Sequence, residues 1–179
     1  ISFVLDLIEY IADVFGLIKG KNYQYRLSLG NRANKKKYYD APKDWDEGEE
    51  VLRKVLVKRK APYYEAQNEA AFYGPKMDVQ MKNVLGKEDT AFTVQYDFCL
   101  PSRFALRYTN ERGEEEQPIV IHRSSVGAME RTIGFFIEHF SGAFPTWLSP
   151  VQVKVLSLSE KSLSYSNKIF ANLRKENIR

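Results

Sequence analysis

Residues suited to metal binding or redox chemistry are scarce here: one cysteine, Cys99, and two histidines among 179 residues. A lone cysteine excludes an intrachain disulfide and any cysteine-paired zinc motif, and it fits a reducing, cytoplasmic setting. Glu138 and His139 are adjacent on a helical stretch, so they point in different directions and cannot clamp one ion together. Neither a Walker A sequence nor GxGxxG occurs, which removes two common phosphate-binding loops. There is no internal repeat and no low-complexity segment. The most apolar stretch, Ile1 to Ile18, is broken by Asp6, Glu9 and Asp13 and has no basic leader. It falls short of the roughly 18 uninterrupted apolar residues of a membrane helix, and it is not a signal peptide.

What is present is a chain able to pack. Hydrophobic residues make up 44% and charged residues 28%, which predicts a folded core. Basic residues outnumber acidic ones by 27 to 23, a net charge of +4. That balance is compatible with a polyanionic partner but is common among soluble proteins. The length suits one domain, or one domain and the beginning of another. The start at Ile1 inside a helical pattern and the stop just after another helix predict a piece of a longer protein.

Periodicity divides the chain. Phe3, Leu7, Ile11, Val14 and Ile18 predict a helix with one apolar face, and Tyr23 to Leu29 alternates as a strand. Pro42 and Asp44 open a second helix, with Asp44 and Glu47 as a capping box and Trp45, Leu52, Val55 and Leu56 as its stripe. From Pro62 to Tyr108 the period is two, with short links at Leu85 to Lys87 and Asn110 to Gly113, predicting an antiparallel meander. Ile119 to His122 is a further strand running into a helix lined by Val126, Met129, Ile133, Phe136, Ile137 and Phe140. The expected fold is α+β, an antiparallel sheet flanked by helices. Beyond a boundary at Gly142 and Pro145, a strand at Val151 to Val155 and a helix through Leu163, Ile169, Phe170 and Leu173 predict the first unit of an α/β domain.

Several positions can carry chemistry. Thr93, Gln95 and Asp97 share one strand face, opposite Phe92, Val94, Tyr96 and Phe98. Such a face most often meets water; the alternative is a platform for a small polar ligand. AFYGPK (Ala71 to Lys76) reads as a turn, and also as a means of aiming Tyr73 and Lys76 into one cleft. His122 ends a strand, where a lone histidine is more often structural than a ligand. Arg131 lies off its helix's apolar stripe, solvated or anchoring an anion. Ser124 and Ser125 stand near His122 without a glycine-flanked nucleophile elbow, which argues against a hydrolase dyad. Lys35 to Tyr39 mixes charge with aromatics, as RNA-binding surfaces and ordinary loops both do.

Taken together and in order, AFYGPKMDVQMK, TVQYDFCLPSRFALRYTN and PIVIHRSSVGAMERTIGFFIEHFSGAFPTWLSPVQV resemble the threonyl-tRNA synthetase family. The likeness is to the second half of the class II catalytic domain, 1–145, followed by the truncated start of the anticodon-binding domain, 146–179. It implies ATP-dependent threonine activation and transfer to the 3′ end of tRNA(Thr), with magnesium accompanying ATP and a homodimer in the full protein. Carried across position by position, His122 corresponds to one of three zinc ligands, and Arg131 to the motif 3 arginine that binds ATP and serves catalysis. Tyr73 and Gln95 correspond to the threonine pocket, Thr93 to a nucleotide contact, and Lys76 to a position near phosphate or the tRNA end.

The resemblance also marks what is missing. Class II motifs 1 and 2 and the other two zinc ligands would lie upstream of Ile1, so Cys99 is not one of those ligands and the piece alone is expected to be inactive. Asp89 to Phe92 and Ala128 depart from the family's usual residues. That divergence favours, slightly, the alternative of a non-catalytic tRNA-binding or regulatory module; retention of Tyr73, Gln95, His122 and Arg131 favours the ligase.

Overall fold

A computed structural model describes residues 1–124 and 126–179, which form two compact units, Ile1–Phe135 and Phe136–Arg179. The first unit contains α1 (Ser2–Val14), β1 (Tyr23–Leu29), α2 (Pro42–Lys58), β2 (Tyr63–Gln67), β3 (Lys76–Lys82) and β4 (Glu88–Asp97). It continues through α3 (Cys99–Arg103), β5 (Tyr108–Thr109), β6 (Glu115–Glu116) and β7 (Val120–Ser124). Then α4 (Met129–His139) begins in this unit and runs into the second, which also holds α5 (Glu160–Lys175). Five strands make one sheet in the order β2-β1-β3-β4-β7, with β5 and β6 as a separate hairpin. The result is the expected α+β architecture, a mostly antiparallel sheet with helices beside it.

Strand alternation sorts the sheet into two faces. Tyr23, Tyr25, Leu27, Leu29, Met77, Val79, Met81, Phe92, Val94 and Tyr96 are buried on one. Helix α2 covers them: Trp45 meets Phe98 edge-on at 5.3 Å, and Gly48 leaves room for the Tyr96 ring, which a Cβ would approach to 2.9 Å. Helix α1 is tied to the same layer because Tyr25 donates to Glu9 at 2.8 Å. Arg59, at the end of α2, pairs with Asp6 at 2.7 Å and Glu9 at 2.9 Å. Each large apolar side chain in this layer contributes on the order of 2 kcal/mol.

Five local expectations fail, each for a physical reason. Helix α1 buries Val4, Leu5, Ile8 and Ala12, while Phe3 and Val14 are exposed. It is apolar on two sides, so spacing alone cannot say which side meets the sheet. Helix α4 behaves alike, with Thr132 and Phe136 buried and Met129, Ile133 and Ile137 exposed. Helix α2 has no side-chain cap: Pro42 starts it, and Asp44 sits in the first turn. Strand β2 pairs parallel to β1 across the α2 crossover, not in a meander. The period-two pattern near residue 100 gives way to α3, because Asp97 Oδ1 accepts the N–H groups of Cys99 and Leu100, both at 2.9 Å.

A sixth correction belongs to the second unit. Residues 151–155 are not a strand. A strand needs a neighbour to complete its ladder, and none is present among the described residues. Instead the N–H groups of Gln152 and Val153 reach the Arg179 carbonyl. Helix α5 does form, opened by a reciprocal Ser159 and Ser162 capping box.

Candidate functional site

The face of the sheet turned away from α1 and α2 is polar, and the register decides which of its residues meet. Lys76 on β3 lies opposite Gln95 on β4, and Gln95 opposite His122 on β7. One row along, Asp78 faces Thr93, and Thr93 faces Ser124. On the other side of β3, Ser28 pairs with Lys76 and Arg26 with Asp78. Directly opposed residues share a face, so both rows line one surface.

Tyr73 joins this surface from the loop before β3. The loop passes so close to β4 that a Cβ at Gly74 would collide with the Tyr96 carbonyl, so only glycine fits there. Tyr73 then donates its hydroxyl to Gln95 Oε1 and sets its ring 5.4 Å from the His122 ring. Burial and the nearby Asp97 raise the Tyr73 pKa, which keeps the phenol protonated and a donor. Because Gln95 spends its oxygen on Tyr73, its amide hydrogens remain for a ligand.

Asp78 organises the second row. It is 1% exposed and receives Arg26 Nη2 and Lys76 Nζ, both at 2.9 Å. Ser28 also donates to Asp78 Oδ2 at 3.0 Å, and Thr93 to Oδ1 at 2.9 Å. Burial pushes the carboxyl pKa up, but Lys76, Arg26 and Thr93 outweigh it and hold the group below the usual carboxylate range. Two cations against one anion leave the cluster a net positive charge, suited to phosphate. The Thr93 proton is committed to Asp78, so its oxygen offers a ligand lone pairs.

His122 is tied to the other buried carboxylate of this face: its Nε2 lies 2.7 Å from Asp97 Oδ2. Among the described residues no group of three His, Cys, Asp or Glu side chains converges as a metal site. Cys99 is buried, and burial followed by Asp97 pushes its thiol pKa up.

The structure therefore brings Tyr73, Lys76, Thr93, Gln95 and His122 onto one surface, and leaves Arg131 at the far end of β4. Exposed on α4, Arg131 donates through Nη1 to the Thr90 carbonyl at 3.1 Å. The adjoining cavity, lined by Met81, Asp89, Thr90, Ala91, Thr132 and Phe135, holds about 20 Å³, room for a single water. Here β4 bulges: Val79 faces Phe92 but Gln80 faces Thr90, leaving Ala91 unmatched. Gly127 closes against the bulge, and at φ +74° with the Ala91 carbonyl in the way no side chain fits. Ser124 Oγ accepts the Gly127 N–H at 3.0 Å; Ser125 lies outside the described residues. Sequence reasoning missed Arg26 and Asp78 as parts of this surface, and the pairing of Asp97 with His122. Their period-two positions were visible, but not the residues facing them.

Comparison with known proteins agrees with the fold. The chain belongs to the tRNA synthetase class II core domain family (G, H, P, S and T), whose pattern matches residues 1–140. Within that family it is similar to the threonine--tRNA ligase of Clostridium botulinum (strain Eklund 17B / Type B), 47% identical over 98% of this chain and 27% of that protein. The corresponding protein of Clostridium perfringens (strain SM101 / Type A) is 43% identical over the same shares. The chain thus spans 27% of the length of these curated relatives. A crystal structure of the RNA binding domain of threonyl-tRNA synthetase from Cryptosporidium parvum Iowa II superposes with a TM-score of 0.87 at 31% identity, over 99% of this chain and 43% of that one. A putative threonyl-tRNA synthetase, ThrRS-1, from Aeropyrum pernix gives a TM-score of 0.70 at 29% identity, over 98% and 44%.

Proposed function

We propose that residues 1–145 are the second half of a threonine–tRNA ligase catalytic domain and 146–179 the opening of its anticodon-binding domain. The parent protein joins threonine to ATP, releasing pyrophosphate, and passes the threonyl group to the terminal ribose of tRNA(Thr). The observation that carries this reading is the Lys76, Gln95 and His122 row with Tyr73 seated over it.

The chemistry asks little covalent work of the protein. The threonine carboxylate attacks the α-phosphorus of ATP, so catalysis rests on alignment and on neutralising phosphate charge. Tyr73 and Gln95 would bound the threonine pocket, with the Gln95 amide hydrogens donating to a substrate oxygen. Thr93, its proton held by Asp78, would accept a hydrogen bond from a nucleotide hydroxyl or amine. Lys76 and Arg26 would supply positive charge beside the phosphates or the tRNA end, in company with magnesium. Arg131 would anchor ATP after leaving the Thr90 carbonyl.

Zinc suits His122, whose imidazole is half-exposed on the polar face and anchored by a carboxylate through one nitrogen, as metal-binding histidines are. One imidazole cannot hold the ion, so the remaining ligands would come from outside these 179 residues. Bound there, zinc would supply selection for the threonine amine and hydroxyl; an apolar pocket alone separates such isosteres by only about a hundredfold. The ligase reading carries with it the expectation of a cytoplasmic homodimer. No helix among the described residues is long and apolar enough to cross a membrane.

In the full-length parent, His122→Ala is expected to lose bound zinc and threonine-dependent ATP–pyrophosphate exchange together. Full zinc content in that variant would remove His122 from the metal site. Exchange at the parental rate would favour a non-catalytic role for this surface.

A further inference from the structure

We infer that Asp97 fixes the tautomer of His122 and so determines which imidazole nitrogen faces a ligand. The Asp97 side chain is 0% exposed. Its Oδ1 is held by two backbone donors, the N–H groups of Cys99 and Leu100, each at 2.9 Å. The carboxylate is thereby locked by the first turn of α3, and its Oδ2 faces His122 Nε2 at 2.7 Å. An ionised carboxylate only accepts, so the proton between the two belongs to Nε2. Nδ1 is left with a free lone pair, and no described residue meets it. Tyr73, with its ring 5.4 Å away, flanks the imidazole. Asp97 is a positioning residue: it presents Nδ1 to the polar face without touching substrate or metal.

The substitution Asp97→Asn separates this role from mere packing. Asparagine keeps an oxygen for the two backbone donors but turns an NH₂ group toward Nε2. The imidazole then accepts at Nε2, its proton moves to Nδ1, and the outward lone pair is lost.

Two measurements test the inference, and only the second rests on the reading of His122 as a metal ligand. The first is nitrogen-15 NMR of the imidazoles in the metal-free 179-residue chain, at about pH 8, above the usual histidine pKa of about 6.5. With only two histidines in the chain, His139→Gln assigns the signals. His122 is expected as the Nε2–H tautomer in the native chain and shifted toward Nδ1–H in Asp97→Asn. An Nδ1–H or evenly mixed tautomer in the native chain overturns the inference, whether or not the variant folds. The second is zinc affinity of the full-length parent by chelator competition, where Asp97→Asn is expected to bind about 10- to 100-fold more weakly. Unchanged affinity, with His122→Ala losing zinc, overturns the positioning role. Zinc retained by His122→Ala would instead sink the ligand reading and leave the tautomer result standing.

Discussion

The two ends of β4 handle polar residues differently. At Thr93 to Asp97 the strand pairs in regular register on both sides, and each polar side chain is aimed by a neighbour: Thr93 by Asp78, Gln95 by Tyr73, His122 by Asp97. At Glu88 to Ala91 the bulge breaks that register, and Arg131 rests on a backbone carbonyl beside a cavity of about 20 Å³. Buried carboxylates organise the first end, whereas at the second a guanidinium and a backbone carbonyl close over a space with room for a single water.

The largest effect should follow from removing the organiser. Asp78→Asn is expected to destabilise the chain by about 3 kcal/mol, because two largely desolvated cations lose their partner. Denaturant unfolding at neutral pH reads this directly. The folded-state pKa of Asp78 is lowered, so its stabilisation is complete above the ordinary value of 3.8 and is lost as pH falls through the folded value. The gap between native chain and variant should therefore narrow below that pH; a constant gap would mean the carboxylate charge is not responsible.

Arg131→Ala should act on catalysis rather than folding. In the full-length parent it is expected to raise the KM for ATP by about tenfold or more, the scale of one lost charge-assisted contact, with zinc content and thermal stability unchanged. Normal ATP use would confine Arg131 to the bulge. The smallest effect is expected from Thr90→Ala, which removes the 2.7 Å bond from Gln80 at the bulged end and should cost about 1 kcal/mol. A loss rivalling that of Asp78→Asn would show the bulged end to be as organised as the regular one.

The sequence made the strand faces legible. Thr93, Gln95 and Asp97 alternate with large apolar residues, and that pattern survives intact in β4. The partners across the sheet were not legible. Arg26 and Asp78 lie 52 residues apart and meet only because β1 and β3 pair. Period-two spacing says which side a residue faces, and register alone says what it faces. The helices failed differently: α1 and α4 carry apolar residues on two sides, and burial is set by the neighbouring layer. Asp97 shows a third case, since its two short-range backbone bonds turn a strand pattern into α3. For the site, the family resemblance supplied candidate roles for Tyr73, Gln95 and His122; geometry added the side chains that orient them.

The most direct test is a crystal structure of the full-length parent with a non-hydrolysable threonyl-adenylate analogue. The threonyl group is expected against Tyr73, Gln95 and His122, with the adenylate running past Thr93 toward an Arg131 released from Thr90. An analogue bound elsewhere, with the polar face of β3, β4 and β7 untouched, would contradict the assignment of this surface.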